Sequence, residues 1–224
     1  AYGIRAIREN GDVLVQNAGD ITSYAGGRAY GVYAQSKYGN VEIVNTGNIT
    51  MASPYDAAIG LNASTGTFFY GGGDASIKNG GDITIDTTYG IAVGMQAIAG
   101  SVQNPYGDAY ILNTGDITLT ANYMGYAVQA RATDGDTTII NTGDISVTTS
   151  AYFNYVTPGT AAGISGLNMV DGQMLIQNTG DLDIHGYVLA YGLYGKATYL
   201  GDVTLVNGGD ISVSSDIGIG RGMM

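Results

Sequence analysis

The sequence predicts an all-β fold, a parallel β-solenoid of about eight rungs of roughly 28 residues, and three observations predict it. The first is the motif Asn-x-Gly-(Asp/Asn)-(Ile/Leu). It begins at Asn17, Asn45, Asn79, Asn113, Asn141, Asn178 and Asn207, with spacings of 28, 34, 34, 28, 37 and 29 residues. The second is a glycine six residues before each of these Asn: Gly11, Gly39, Gly73, Gly107, Gly135, Gly172 and Gly201. The third is an Ala-Tyr-Gly-Ile-x-Ala element at residues 1–6 and 29–34. Looser copies stand at 58–63, 92–97, 125–130, 161–166, 190–195 and 216–221. A fixed period of this length marks stacked supersecondary units. The copies fill nearly the whole chain, so residues 1–224 are expected to form a single solenoid domain.

Each unit contains three short runs of period two, the pattern of strands with one buried face. In the first run Val13 pairs with Val15, Val41 with Ile43, and Val203 with Leu205. In the second, after the Asn-x-Gly turn, Ile83 pairs with Ile85, Ile117 with Leu119, and Ile211 with Val213. The third run is expected to alternate throughout, with Tyr30, Val32 and Ala34 on one face and Ala29, Gly31 and Tyr33 on the other. Gly, Asn and Asp separate the runs; they tolerate positive φ or hydrogen-bond their own backbone.

Composition agrees with a packed, elongated β protein and excludes several function classes. Of 224 residues 37 are glycine and 45% are hydrophobic, too apolar for a disordered chain and without the three-residue period of collagen. The formal charge is −11, and the eight cations (Arg5, Arg8, Arg28, Lys37, Lys78, Arg131, Lys196 and Arg221) are scattered along the sequence. Nucleic-acid binding, which needs clustered cations, is therefore not expected. Nor is attachment to an anionic membrane surface. The chain has no cysteine, which removes disulfides and thiolate metal sites. No window approaches the ~18 apolar residues of a membrane-spanning helix, so no membrane insertion by this segment is expected. The first residues are already in phase with the repeat, as in a mature protein or an excised segment of a longer array.

The stretch Tyr30-Gly31-Val32-Tyr33-Ala34-Gln35-Ser36, followed by Gly39-Asn40-Val41-Glu42-Ile43-Val44-Asn45-Thr46-Gly47-Asn48-Ile49-Thr50, resembles the passenger repeats of bacterial autotransporters. The resemblance implies an exported, right-handed β-helix displayed on or shed from the outer membrane, often adhesive.

Several residues could carry chemistry. The Asn column is expected to be a structural ladder. Two Asp columns follow the glycines: Asp12, Asp74, Asp108, Asp136 and Asp202, and Asp20, Asp82, Asp116, Asp144, Asp181 and Asp210. Turn capping is the expected role; bridging by calcium is the alternative, since carboxylates are hard ligands. No other cofactor is expected. An outward column of Thr22, Thr50, Thr84, Thr118, Ser146, Asp183 and Ser212 suits ordinary β-propensity. The irregular column beside it argues against an ice-binding face. The only histidine, His185, should share the outer face with Asp183, with Ser212 and Ser214 on the next rung. A Ser, His and Asp set can be drawn there, yet nucleophilic catalysis also needs an oxyanion site and a pocket. Solvated surface is the expected reading, and no catalytic residue is assigned.

Departures from the period point to recognition. Two consecutive rungs carry extra residues at one corner, 64–72 and 98–106, bringing Phe68, Phe69, Tyr70 and Tyr106 together. A third insertion near residues 149–160 carries Tyr152, Phe153 and Tyr155. Loops on a rigid scaffold are where solenoids place binding residues, so these seven aromatics are the expected partner contacts. In-phase repeats at both ends predict strand edges joined to further repeats or to other copies. The expected function is that of an exported, extracellular or cell-surface structural or adhesive protein without catalytic activity. Its partners would be other copies end to end, or a ligand on a host or neighbouring cell. The alternatives are a self-assembling filament subunit and a carbohydrate-active β-helix enzyme.

Overall fold

The computed structural model describes residues 1–66, 71–101, 104–150 and 159–224. Their only regular elements are 22 β-strands, in three parallel sheets of eight, seven and seven strands. One turn of the solenoid runs through Ala29–Tyr38 in the first sheet, Val41–Asn45 in the second and Ile49–Ala52 in the third. The next turn lays Ala58–Thr65, Ala75–Asn79 and Ile83–Thr87 beside them, parallel and in register. Seven turns are complete and Ile219–Met223 adds an eighth strand to the first sheet. About eight rungs were expected; the architecture agrees.

The core is a stack of identical columns. Val41, Ile43, Ile49, Leu61, Ile77, Ile83, Met95, Ile111, Ile117 and Ile139 are almost wholly buried. Each such aliphatic side chain contributes roughly 1.5–3 kcal/mol of burial. The first two runs alternate as their sequences predict, with Val41 and Ile43 inside and Glu42 and Val44 facing out.

The third run does not keep strict alternation, and the expected faces of Tyr30 and Ala29 are corrected. Ala29, Val32 and Ala34 are fully buried, whereas Tyr30, Tyr33 and Gln35 are half-exposed. The phase slips at Gly31: pairing with the next strand joins Tyr30 to Ile59 and Val32 to Leu61 and skips the glycine. Two successive residues thus face inward, and the strand kinks as at a β-bulge. A Cβ on Gly31 would meet the Gly60 carbonyl oxygen at 2.6 Å and an Ile49 methyl at 3.0 Å. One turn carries the exchanged pair Gly125 and Ala127 where the neighbouring turns have Ala92 and Gly94, and Ala161 and Gly163.

The two motif glycines are required for different reasons. Six of the seven glycines that precede the Asn column have positive φ, for example 142° at Gly107. The glycine inside Asn-x-Gly does not. It is excluded from bearing a side chain by close stacking: a Cβ at Gly115 would lie 2.2 Å from the Gly81 carbonyl oxygen.

Candidate functional site

The Asn column is a continuous axial ladder. Asn45 Nδ2 donates to Asn79 Oδ1 at 2.7 Å and to the Gly47 carbonyl, two residues on, at 2.6 Å. Asn79, Asn113, Asn141 and Asn178 repeat both bonds, and Asn17 begins the same chain. One amide group thus closes its own turn and joins it to the next rung. Buried amides without such partners would be costly, so the capacity of this column is taken up by structure.

Both Asp columns run the same way. Asp74 Oδ1 accepts from the Asp108 amide at 3.0 Å, and Asp108 Oδ1 from the Asp136 amide at 2.8 Å. In the second column Asp82 Oδ1 accepts from Asp116, and Asp116 from Asp144. Carboxylates held by backbone amides are stable at short spacing because each N–H offsets part of the charge. Asp74, Asp108 and Asp136 line a shallow depression with Ser76, Tyr110 and Thr138. Among the described residues, no group of three or more His, Asp or Glu side chains converges in a metal-binding arrangement.

His185 lies where its sequence position predicts, but with a different acid. Its Nδ1 is 2.8 Å from Ser214 Oγ and its Nε2 is 3.2 Å from Asp216 Oδ1. Asp183 pairs in register with Ser146 and Ser212. The His185 and Asp216 side chains are 38% and 45% exposed, so water competes for every bond in the set. A hydroxyl on an open strand face lacks the desolvation that activates a nucleophile.

The stems of the first two insertions stack as their spacing predicts. Ser101 Oγ of the second donates to the Gly71 carbonyl of the first at 2.5 Å, and the Asp134 amide of the following turn donates to the Pro105 carbonyl at 2.9 Å. Tyr106 is 69% exposed and covers no core. Phe68, Phe69, Tyr70, Tyr152, Phe153 and Tyr155 lie outside the described residues. The third insertion leaves a different corner, between the strands Ile145–Thr149 and Thr160–Asn168.

A groove of about 520 Å³ opens on the outer face of the first sheet. The kinked strands place three outward columns there. In the first, Tyr126, Ala162 and Tyr191 follow one another; in the second, Gln96, Gln129, Ser165 and Tyr194; in the third, Arg131, Leu167 and Lys196. Ala162 and Ser165 form the floor, 3% and 9% exposed although they point outward, because larger neighbours stand on either side. Gln96 Nε2 donates to Gln129 Oε1 at 2.6 Å, and Gln96 Oε1 accepts from Asn62 Nδ2 on the rung before at 2.8 Å. Tyr191 and Tyr194 approach with ring centroids 5.9 Å apart. Burial pushes the Tyr126 phenol above its usual value, and Tyr191 adds to the shift. No Asp or Glu side chain lines the groove.

Spacing alone did not lead to this groove, because the expected alternation placed Tyr30 with Val32 instead of on the outer face. Aligning the repeats with the phase slip at the glycine would have found it. That alignment shows Ala162 and Ser165 between bulky residues, and two of the scattered cations in one column. Comparisons of the chain with protein-family models, with curated proteins and with solved structures gave no match. The chain is a parallel β-solenoid repeat protein of about seven turns.

Proposed function

We propose that this chain is a non-catalytic structural rod of an exported protein, at the cell surface or outside the cell, with adhesion carried on its flanks and corners. The autotransporter-passenger resemblance of the repeats belongs to this proposal. The observation that supports it best is the use of the repeat's polar side chains: the Asn ladder and both Asp ladders bond to neighbouring rungs. Among the described residues, Tyr106 is exposed at an insertion, and the groove's tyrosines and cations stand on the outer face of the first sheet. The groove lacks the paired carboxylates of glycoside hydrolysis. Two measurements test the reading. Antibody to the chain should label intact cells of the producing organism, and incubation with polysaccharides should release neither reducing ends nor unsaturated products. Labelling only after permeabilisation, or turnover of a polysaccharide, contradicts it.

A second reading, end-to-end assembly, has one specific support in the polarity of the ladders. Each rung bonds through donors to one neighbour and through acceptors to the other, so rungs from two copies would stack as rungs of one chain do. Light scattering against concentration separates the two sources: growth with concentration supports copies, and a constant monomer mass contradicts them.

A further inference from the structure

We infer that the groove on the first sheet binds an acidic saccharide. Arg131 and Lys196 would hold a uronic acid carboxylate, and Tyr126, Tyr191 and Tyr194 would face the C–H surfaces of the sugar. The inference rests on the non-catalytic, adhesive reading and names its ligand class.

Shape is the first argument. Tyr126 and Tyr191 stand two rungs apart, roughly 9–10 Å at the usual strand spacing, with Ala162 between them on the floor. The slot admits one ring-sized group between two tyrosines. Tyrosine offers an apolar ring face with a polar tip, the combination a sugar presents in return. Gln129 supplies its Nε2 donor for a hydroxyl, since its Oε1 already accepts from Gln96.

Charge is the second argument, and it fixes the acidic class. The molecule carries −11 overall, yet no carboxylate side chain lines this groove while two of eight cations do. Arg28, Lys37 and Lys78 lie within ion-pair distance of Asp56, Glu9 and Glu42. Among the described residues Arg131 and Lys196 form no ion pair. The Arg131 Nε–H is buried without a hydrogen-bond partner. Arg131 lines the groove with this donor unsatisfied, which favours an anionic acceptor for the guanidinium, and the planar fork of Arg matches a carboxylate. The two cations are separated by Leu167 in one column, so they would grip a single anion or successive acidic residues along the sheet.

The test is calorimetric titration of the intact protein with trigalacturonate, its methyl ester and a sulfated disaccharide. Saturable binding of trigalacturonate and none of the ester is expected. Arg131→Gln should weaken it about tenfold or more, the scale of a charged hydrogen bond. Ala162→Phe, which fills the slot, should abolish it, and Tyr24→Ala, at an exposed position of the third sheet, should leave it unchanged. Circular dichroism checks each variant for folding; if Arg131→Gln misfolds, the exposed Lys196→Gln takes its place. Absence of saturable trigalacturonate binding overturns the inference, as does equal affinity for the ester, preference for the sulfated sugar, or no effect of the cation variants. Each of these outcomes leaves the surface-labelling test of the rod untouched.

Discussion

Asn113 shows how much one residue carries in a stacked fold. Its Nδ2 donates to Gly115 O and Asn141 Oδ1, and its Oδ1 accepts from Asn79. Asn113→Ala leaves the Gly115 carbonyl and Asn141 Oδ1 without a donor, each costing about 1–3 kcal/mol, and leaves Asn79 Nδ2 only its bond to Gly81. A loss of at least about 2 kcal/mol is expected in urea denaturation, and a smaller loss for Asn17→Ala, which removes one axial bond where Asn113→Ala removes two. Equal losses at the two sites would mean that the second axial bond contributes nothing. Tyr126 gives a pH prediction. Burial raises its phenol above 10.0, so the folded state holds the proton more tightly than the unfolded state. Its contribution is fully present below the unfolded value and is lost as pH rises through the folded one. Melting temperature should therefore fall above about pH 10, and Tyr126→Phe should flatten that fall. The Asn and its glycine were legible in the sequence as residues. The reason for the glycine was not: at Gly115 it is the approach of the previous rung's carbonyl, which only stacking reveals.

At the scale of the element, the two runs with unbroken alternation were legible because a period of two has one meaning when one face is buried. The third was misread because Gly31 and Val32 both face inward and break the phase, so Ala29 and Tyr30, before the glycine, were given the wrong faces. One of the groove's three columns, that of Tyr126, Ala162 and Tyr191, continues the Tyr30 position. The corner insertions were legible as departures from the period. Tyr106 is exposed and its backbone is bridged to Asp134, so Tyr106→Ala should leave the melting temperature unchanged while weakening association with a partner. A loss of stability instead would make it a structural residue. At the Asp turns, one carboxylate oxygen of Asp12, Asp74, Asp108 and Asp136 already holds an amide of the next rung. Chelation with EDTA is expected to leave the melting temperature unchanged; a calcium-dependent rise of several degrees would assign the Asp columns to the ion.

Over the whole molecule, order should be graded along the axis. Val41 is 1% exposed but Val203, on the last complete turn, is 39% exposed, because its core face has a neighbour on one side only. Repeat proteins gain stability from each interface between adjacent units, so amide exchange should be slowest in the central rungs and fastest in the terminal ones. Uniform exchange along the chain would indicate a single all-or-none unit or a second copy covering the ends.

The most direct test of the account is hydrogen exchange at the asparagine side chains, read by NMR on nitrogen-labelled protein. Asn45, Asn79, Asn113, Asn141 and Asn178 are at most 3% exposed, and each donates along the axis and to its own turn. Their five NH2 groups are predicted to exchange orders of magnitude more slowly than the amide of exposed Asn10, with both protons of each group protected. Five rapidly exchanging groups would contradict the ladder, and with it the stacking of the rungs in this register.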